Sequence, residues 1–140
     1  MSPVVYSAKK AENLKIDWHR AGEDISYFAN GIYRPSRTCK SFFTLRFSYT
    51  FEFTADTVYF AYCYPYTYSR ALEFLDKLES DATICEYLTR RVLCYTITGN
   101  RCDYLTITSS NSKQEKKGVC FTARVHPGET VGSWMMEGKV

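Results

Sequence analysis

The sequence predicts an α/β chain, α+β overall, in which an antiparallel β portion is followed by a portion where helix and strand alternate. Three observations carry that expectation. The 140 residues include 12 Tyr and 9 Phe, an aromatic share of 16%, and flat bulky side chains pack well on a pleated surface. Phe43, Leu45, Phe47, Tyr49, Phe51 and Phe53 alternate with Thr44, Arg46, Ser48, Thr50 and Glu52, the period of a strand with one wet face. After Pro65 the period changes: Ala71, Leu72, Leu75 and Leu78 recur at helical spacing. That change puts a domain boundary at residues 64–66, dividing the chain into 1–65 and 66–140.

Residues 1–37 have no clear period, and Trp18, Ile25, Tyr27 and Phe28 are the expected inward anchors. His19, alone beside a Trp, reads as a packed or surface residue rather than a ligand. The strand of residues 43–53 is expected to turn at Thr54-Ala55-Asp56-Thr57 and pair with Val58–Tyr64, which is apolar on both faces and so predicts a strand buried on both sides. Pro65 ends it, having no N–H for the ladder, and Thr67 or Ser69 offers a helix N-cap. The helix runs through Glu79, with Arg70, Glu73, Asp76 and Lys77 off its apolar stripe. Strands are then expected at Val92–Thr98 and Tyr104–Thr108, joined through Gly99-Asn100, with an exposed loop over Ser109–Gly118. Val119, Phe121, Ala123 and Val125 alternate as a further strand ending at His126, and Ser133-Trp134-Met135-Met136 opens a helix.

Composition narrows the function classes. A net charge of +3 and a pI near 8.5 are too small and too scattered for a nucleic-acid surface. No apolar run approaches the length that crosses a bilayer, and the N-terminus lacks a signal-peptide pattern; a soluble, membrane-free chain is expected. Cys39, Cys63, Cys85, Cys94, Cys102 and Cys120 include no Cys-x-x-Cys pair, and the expectation is reduced, buried thiols in a cytosolic protein.

The chemistry concentrates at His126-Pro127-Gly128-Glu129. An imidazole nitrogen and a carboxylate oxygen are good zinc donors, and a catalytic zinc takes three protein ligands plus a water. Pro127 fixes φ and Gly128 permits unusual φ, so a strand entering this turn would bring both residues to the carboxyl edge of a sheet, where open α/β folds build ligand sites. A structural alternative is a capped helix start, with Glu129 near the positive end of the helix dipole.

Several stretches together resemble the cytosolic carboxypeptidases, a branch of the zinc carboxypeptidase family. They are Ala123–Thr130 with Ser133, Trp134, Met136 and Gly138; Ala61–Ser69; Val92-Leu93-Cys94, Gly99-Asn100 and Leu105–Thr108; and Trp18, Arg20, Gly22 and Ile25. The resemblance implies that 1–65 is the C-terminal part of an N-terminal β-sandwich, and that 66–140 opens a zinc carboxypeptidase α/β/α catalytic domain. It implies zinc, Zn(2+), as cofactor, with His126 and Glu129 matching the first two metal ligands. The third ligand, the arginines that grip the substrate carboxylate and the catalytic glutamate are expected beyond Val140, so no catalytic or substrate-binding residue is assigned within the chain. The implied activity is removal of C-terminal acidic residues, glutamates of polyglutamylated protein tails such as those of tubulin, in the cytoplasm and in association with microtubules. The chain then reads as a fragment truncated at both ends and inactive by itself. The alternative is a non-catalytic β-sandwich interaction module with an incomplete metal site.

Overall fold

The computed structural model of the chain describes residues 2–33, 41–109, 114–138 and 140. It mixes helices with antiparallel strands, an α+β chain, and divides into two compact units, Met1–Pro65 and Tyr66–Val140.

The first unit starts with regular structure where no period is visible in the sequence. Strand β1 (Val4–Ser7) leads directly into helix α1 (Ala8–Leu14), followed by β2 (His19–Arg20) and β3 (Glu23–Ala29). Ser7 explains the sharp change from strand to helix. Its Oγ accepts from the Lys10 N–H at 3.0 Å as the N-cap and donates to Asp56, whose other oxygen accepts from the Lys9 N–H at 3.0 Å. Lys15 closes the helix in the left-handed conformation, φ 57°.

Strand β1 is central in a three-stranded antiparallel sheet, between β2 and β5 (Val58–Ala61). Val4 and Val5 on it are fully buried and form the core of this unit. Tyr6 packs near Trp18, ring centroids 5.5 Å apart, and near Tyr59 at 6.2 Å.

Strand β4 (Phe43–Ser48) forms a separate two-stranded antiparallel sheet with β3, in which Ala29 faces Phe43 and Glu23 faces Ser48. The expected long strand over residues 43–53 therefore ends at Ser48, and the expected hairpin with 58–64 does not form: β4 pairs with β3, and β5 with β1. Alternation reports which face of a strand is apolar, and it carries no information about the partner. Nor is β5 buried on both sides, since Tyr59 and Phe60 are 55% and 44% exposed. Of the four expected anchors only Trp18 is half-buried; Ile25, Tyr27 and Phe28 lie on exposed β3, which pairs only with β4 among the described strands. Tyr27 and Phe43 stack on one another across that ladder, 5.1 Å between centroids.

In the second unit, helix α2 (Tyr68–Glu79) begins at the Thr67 cap, whose hydroxyl accepts from the Arg70 N–H at 3.1 Å. Its apolar stripe turns inward, burying Leu78, while Glu73, Asp76 and Lys77 stay exposed. A short helix α3 (Ala82–Cys85), not visible in the period of the sequence, is started by Asp81, which accepts from the Thr83 and Ile84 N–H groups. Strands β6 (Leu88–Tyr95) and β7 (Arg101–Ile107) form a hairpin, each beginning earlier than the sequence predicts. Gly99, at φ 81°, supplies the turn conformation that a side chain resists.

One charged residue of β6 is buried. The Arg90 side chain is 3% exposed and ion-paired to Asp76 and Glu79 of α2, at 2.7 and 2.9 Å, and to Asp103 of β7 at 2.6 Å. Burial acts to lower its pKa, but hydrogen bonds to the three carboxylates prevail and raise it. The guanidinium thus stays charged and ties helix to hairpin.

One expectation fails in this unit and one fails across the chain. Residues 119–125 form no strand, and Val119, Phe121 and Val125 are 75%, 70% and 86% exposed; an alternating segment becomes a strand only against a partner, and none of the described strands pairs with it. The Ser109–Gly118 loop is exposed where described, its residues 110–113 lying outside the described set. Among the described cysteines, Cys63 is half-buried and Cys85, Cys94, Cys102 and Cys120 are exposed, so none of them is disulfide-bonded and the expected burial does not hold; Cys39 lies outside the described residues. Only Cys94 and Cys102 of these lie on strands, β6 and β7. Among the described residues no helix is long and apolar enough to cross a membrane.

Candidate metal site

His126 and Glu129 stand at the two ends of one tight turn. The Glu129 N–H donates to the His126 carbonyl at 3.0 Å, with Pro127, whose φ is pre-set, as the first central residue. The segment entering the turn is irregular rather than a strand, so the position at a sheet edge that the sequence suggests is not what orients the pair. Arg124 takes that role. It adopts the left-handed conformation, φ 66°, which reverses the chain just before the turn. Its Nε donates to the Pro127 carbonyl at 2.8 Å, and its Nη1 donates to Ser133 Oγ at 3.0 Å and to the Tyr66 carbonyl at 3.3 Å. The turn is thereby fastened to the chain on both sides of it. Nothing in the local pattern of Arg124 marks this in the sequence, because the contact with Tyr66 spans 58 residues.

Helix α4 (Val131–Glu137) follows immediately. Thr130, its N-cap residue, makes no side-chain capping bond, and no acidic residue occupies its first turn. Glu129 therefore lies just before the N-cap, outside the first turn of the helix. Gly132 lets the helix approach the turn: a Cβ there would meet the Arg124 backbone nitrogen at 3.3 Å.

An aromatic and ionic cluster holds α4 against α2. Trp134 meets Tyr66 edge-on at 5.0 Å, and the Arg70 guanidinium lies 4.3 Å from the Trp134 ring centroid while pairing with Glu137 at 2.8 Å. The Arg70 hydrogen bond holds the Glu137 carboxyl below its usual range. Burial, reinforced by Glu137, pushes the Tyr66 hydroxyl up to about 12. Sequence analysis singled out none of Tyr66, Arg70 or Arg124 for this role. The first two share the N-terminal end of α2, but their partners lie fifty-eight or more residues on.

The side chains of His126 and Glu129 are both exposed. An imidazole and a carboxylate at the ends of a fastened turn match the donor chemistry of zinc. Among the described residues, however, no group of three His, Cys, Asp or Glu is placed to hold a metal ion, so the donors fit in kind and number two. His19 sits in β2 with its Nδ1 3.0 Å from the Asp17 carbonyl.

No family model matches the chain. Among curated proteins, mouse "Cytosolic carboxypeptidase 3" is 43% identical over 140 residues, covering 99% of this chain. The chain belongs with the cytosolic carboxypeptidases. Zebrafish "Cytosolic carboxypeptidase 2" is 42% identical over 142 residues and human "Cytosolic carboxypeptidase 1" 39% over 153, each covering 99% of the chain. This cytosolic carboxypeptidase segment spans 14%, 19% and 12% of those three relatives respectively.

Proposed function

We propose that this chain is part of a zinc metallocarboxypeptidase that removes C-terminal acidic residues, glutamates of polyglutamylated protein tails such as those of tubulin, in the cytoplasm and on microtubules. In this reading residues 1–65 belong to a β-sandwich domain and 66–140 open the catalytic domain. The observation that carries it is identity near 40% with proteins named cytosolic carboxypeptidases across 99% of the chain, including the turn that presents an imidazole and a carboxylate together. His126 and Glu129 would hold the zinc, and a bound zinc polarises a carbonyl and brings the pKa of its water to about 7.

The chain's own residues then have separable tasks. Arg124 fixes the turn through Pro127, Ser133 and Tyr66, and Gly132 allows α4 to close on it. A third ligand and a general base come from elsewhere in a longer protein, so the 140-residue chain alone is inactive.

The test is glutamate release from a peptide with a polyglutamate tail, assayed with the longest protein encoded around this segment. Release is expected, with loss on adding a zinc chelator and loss in His126→Ala. Release that survives both treatments overturns the zinc assignment, and no release from polyglutamate, with cleavage of another C-terminal residue, overturns the substrate. Release of glutamate by the 140-residue chain overturns its assignment as incomplete.

A further inference from the structure

The hairpin of β6 and β7 carries a feature that the proposed activity does not use. Cys94 and Cys102 are direct cross-strand partners in its antiparallel ladder, beside the register shift at Val92/Cys94 and two residues from the hairpin connection. Both residues are exposed, and neither is bonded to another cysteine. Directly opposed residues of an antiparallel ladder have Cα and Cβ atoms about 4.5–5.5 Å apart. A disulfide spans Cα separations of about 4.4–6.8 Å with Cβ atoms about 3.5–4.5 Å apart, so closing the bridge requires at most about an ångström of approach. The adjacent bulge and the free end of the hairpin are where a ladder yields most readily. Desolvation first, then the neighbouring Cys94 thiol, raise the pKa of Cys102.

Cys85 Sγ lies 3.2 Å from the Glu79 carbonyl, a contact with backbone, and Cys63 and Cys120 belong to different units.

We propose that Cys94 and Cys102 form a redox-modifiable dithiol, which a low-molecular-weight disulfide of the glutathione type oxidises to an intramolecular cross-strand disulfide. The Cys94 thiolate attacks one sulfur of the oxidant, forming a mixed disulfide and expelling one thiolate. Cys102 acts second: its thiolate attacks Cys94 Sγ, forms the Sγ–Sγ bond and expels the second thiolate. The two cysteine protons end on the two released thiols. One oxidant disulfide is reduced to two thiols as the two cysteine sulfurs are oxidised. Since the cytosol keeps isolated thiols reduced, the pair forms its bond when the ratio of oxidised to reduced glutathione rises, and opens again when it falls.

The test uses the 140-residue chain, incubated with oxidised glutathione and mapped by mass spectrometry without reduction. The expected result is a linked pair of peptides containing Cys94 and Cys102, a loss of two titratable thiols per chain, and no retained glutathione at either position. Cys102→Ser is expected to trap glutathione on Cys94, since the resolving thiol is gone, and Cys102→Ala repeats the result with a smaller side chain. In strong denaturant the preference for this pairing is expected to vanish. Stable glutathione adducts on both residues of the folded wild-type chain overturn the proposal, as does preferred linkage of Cys94 to any other cysteine, or the same pairing preference in denaturant. None of these readouts depends on peptidase activity.

Discussion

Replacing Arg90 by Met removes one charge from the inside of the second unit and leaves another behind. Asp103 is 4% exposed and loses its 2.6 Å partner, keeping only Arg101 at 3.0 Å, whose side chain is 43% exposed. Asp76 and Glu79, at 69% and 46% exposure, are hydrated already and lose little. The cost therefore lies almost wholly in Asp103. Breaking a buried ion pair costs about 3–5 kcal/mol, and the remaining contact with Arg101 places this case near the lower figure. Arg101→Met removes a bond from the same carboxylate at the solvent edge and is expected to cost about 0.5–1 kcal/mol.

The two tryptophans allow the measurement to be confined to one unit. In a Trp18→Phe background, Trp134 alone reports urea unfolding, and it lies in the second unit. With a urea slope of about 1.5 kcal/mol/M, Arg90→Met lowers the midpoint by about 2 M, several times the effect of Arg101→Met. Arg90→Met with Asp103→Leu removes the stranded charge as well, and most of the loss is expected to return. The reasoning is refuted if Arg90→Met shifts the midpoint no more than Arg101→Met, or if the double variant is less stable than Arg90→Met alone.

Further outcomes can be measured on the same material. Thr67→Ala removes the hydroxyl that caps α2 and is expected to lower the stability of the second unit by about 1 kcal/mol, with Thr67→Ser restoring it; an unchanged midpoint would deny the cap its role. In the first unit, the Ser7 hydroxyl holds the Asp56 carboxyl below its ordinary value of 3.8, against burial and with help from the Lys9 and Thr57 N–H groups. Because the folded pKa lies below the unfolded one, this contribution is complete above the unfolded value and is lost as pH falls through the folded value. In a Trp134→Phe background, stability followed through Trp18 should decline below about pH 4, while Asp56→Asn added to it starts less stable and declines less steeply; equal slopes would dismiss the carboxyl as the cause. For the metal, titration of the 140-residue chain with zinc is expected to show weak binding that His126→Ala or Glu129→Gln weakens further. Stoichiometric zinc that survives dialysis would mean that a third donor is recruited.

What could be read from the sequence depended on the distance over which each signal acts. The Thr67 cap and the stripe of Leu72, Leu75 and Leu78 are decided within four residues, and α2 follows from them. The His126–Glu129 turn is equally local, and Pro127 announces it. Pairing is different. Val58–Ala61 could have met either Phe43–Ser48 or Val4–Ser7, and the choice of the latter, across more than fifty residues, rests on burying Val4 and Val5, which a period of two over four residues hardly reveals. The buried Arg90 did leave a trace, because it falls on the same side of β6 as buried Leu88. A charge at an inward position calls for a carboxylate on the next strand, and Asp103 supplies it. The alternation of Val119–Val125 misled for the opposite reason: the pattern was sound for a strand, but no described strand lies beside it to complete the ladder.

The first turn of α2 also serves a purpose beyond starting a helix. Thr67 caps it, Tyr66 just before it receives the Arg124 guanidinium, and Arg70 within it covers Trp134 and grips Glu137. Fraying of that one turn would loosen the Tyr66 contact of Arg124, which fastens the His126–Glu129 turn, without disturbing either residue directly. The geometry of the two donors is then governed by an equilibrium elsewhere in the chain, and under the proposed zinc assignment the loss of the Thr67 hydroxyl is expected to weaken zinc binding with His126 and Glu129 both in place.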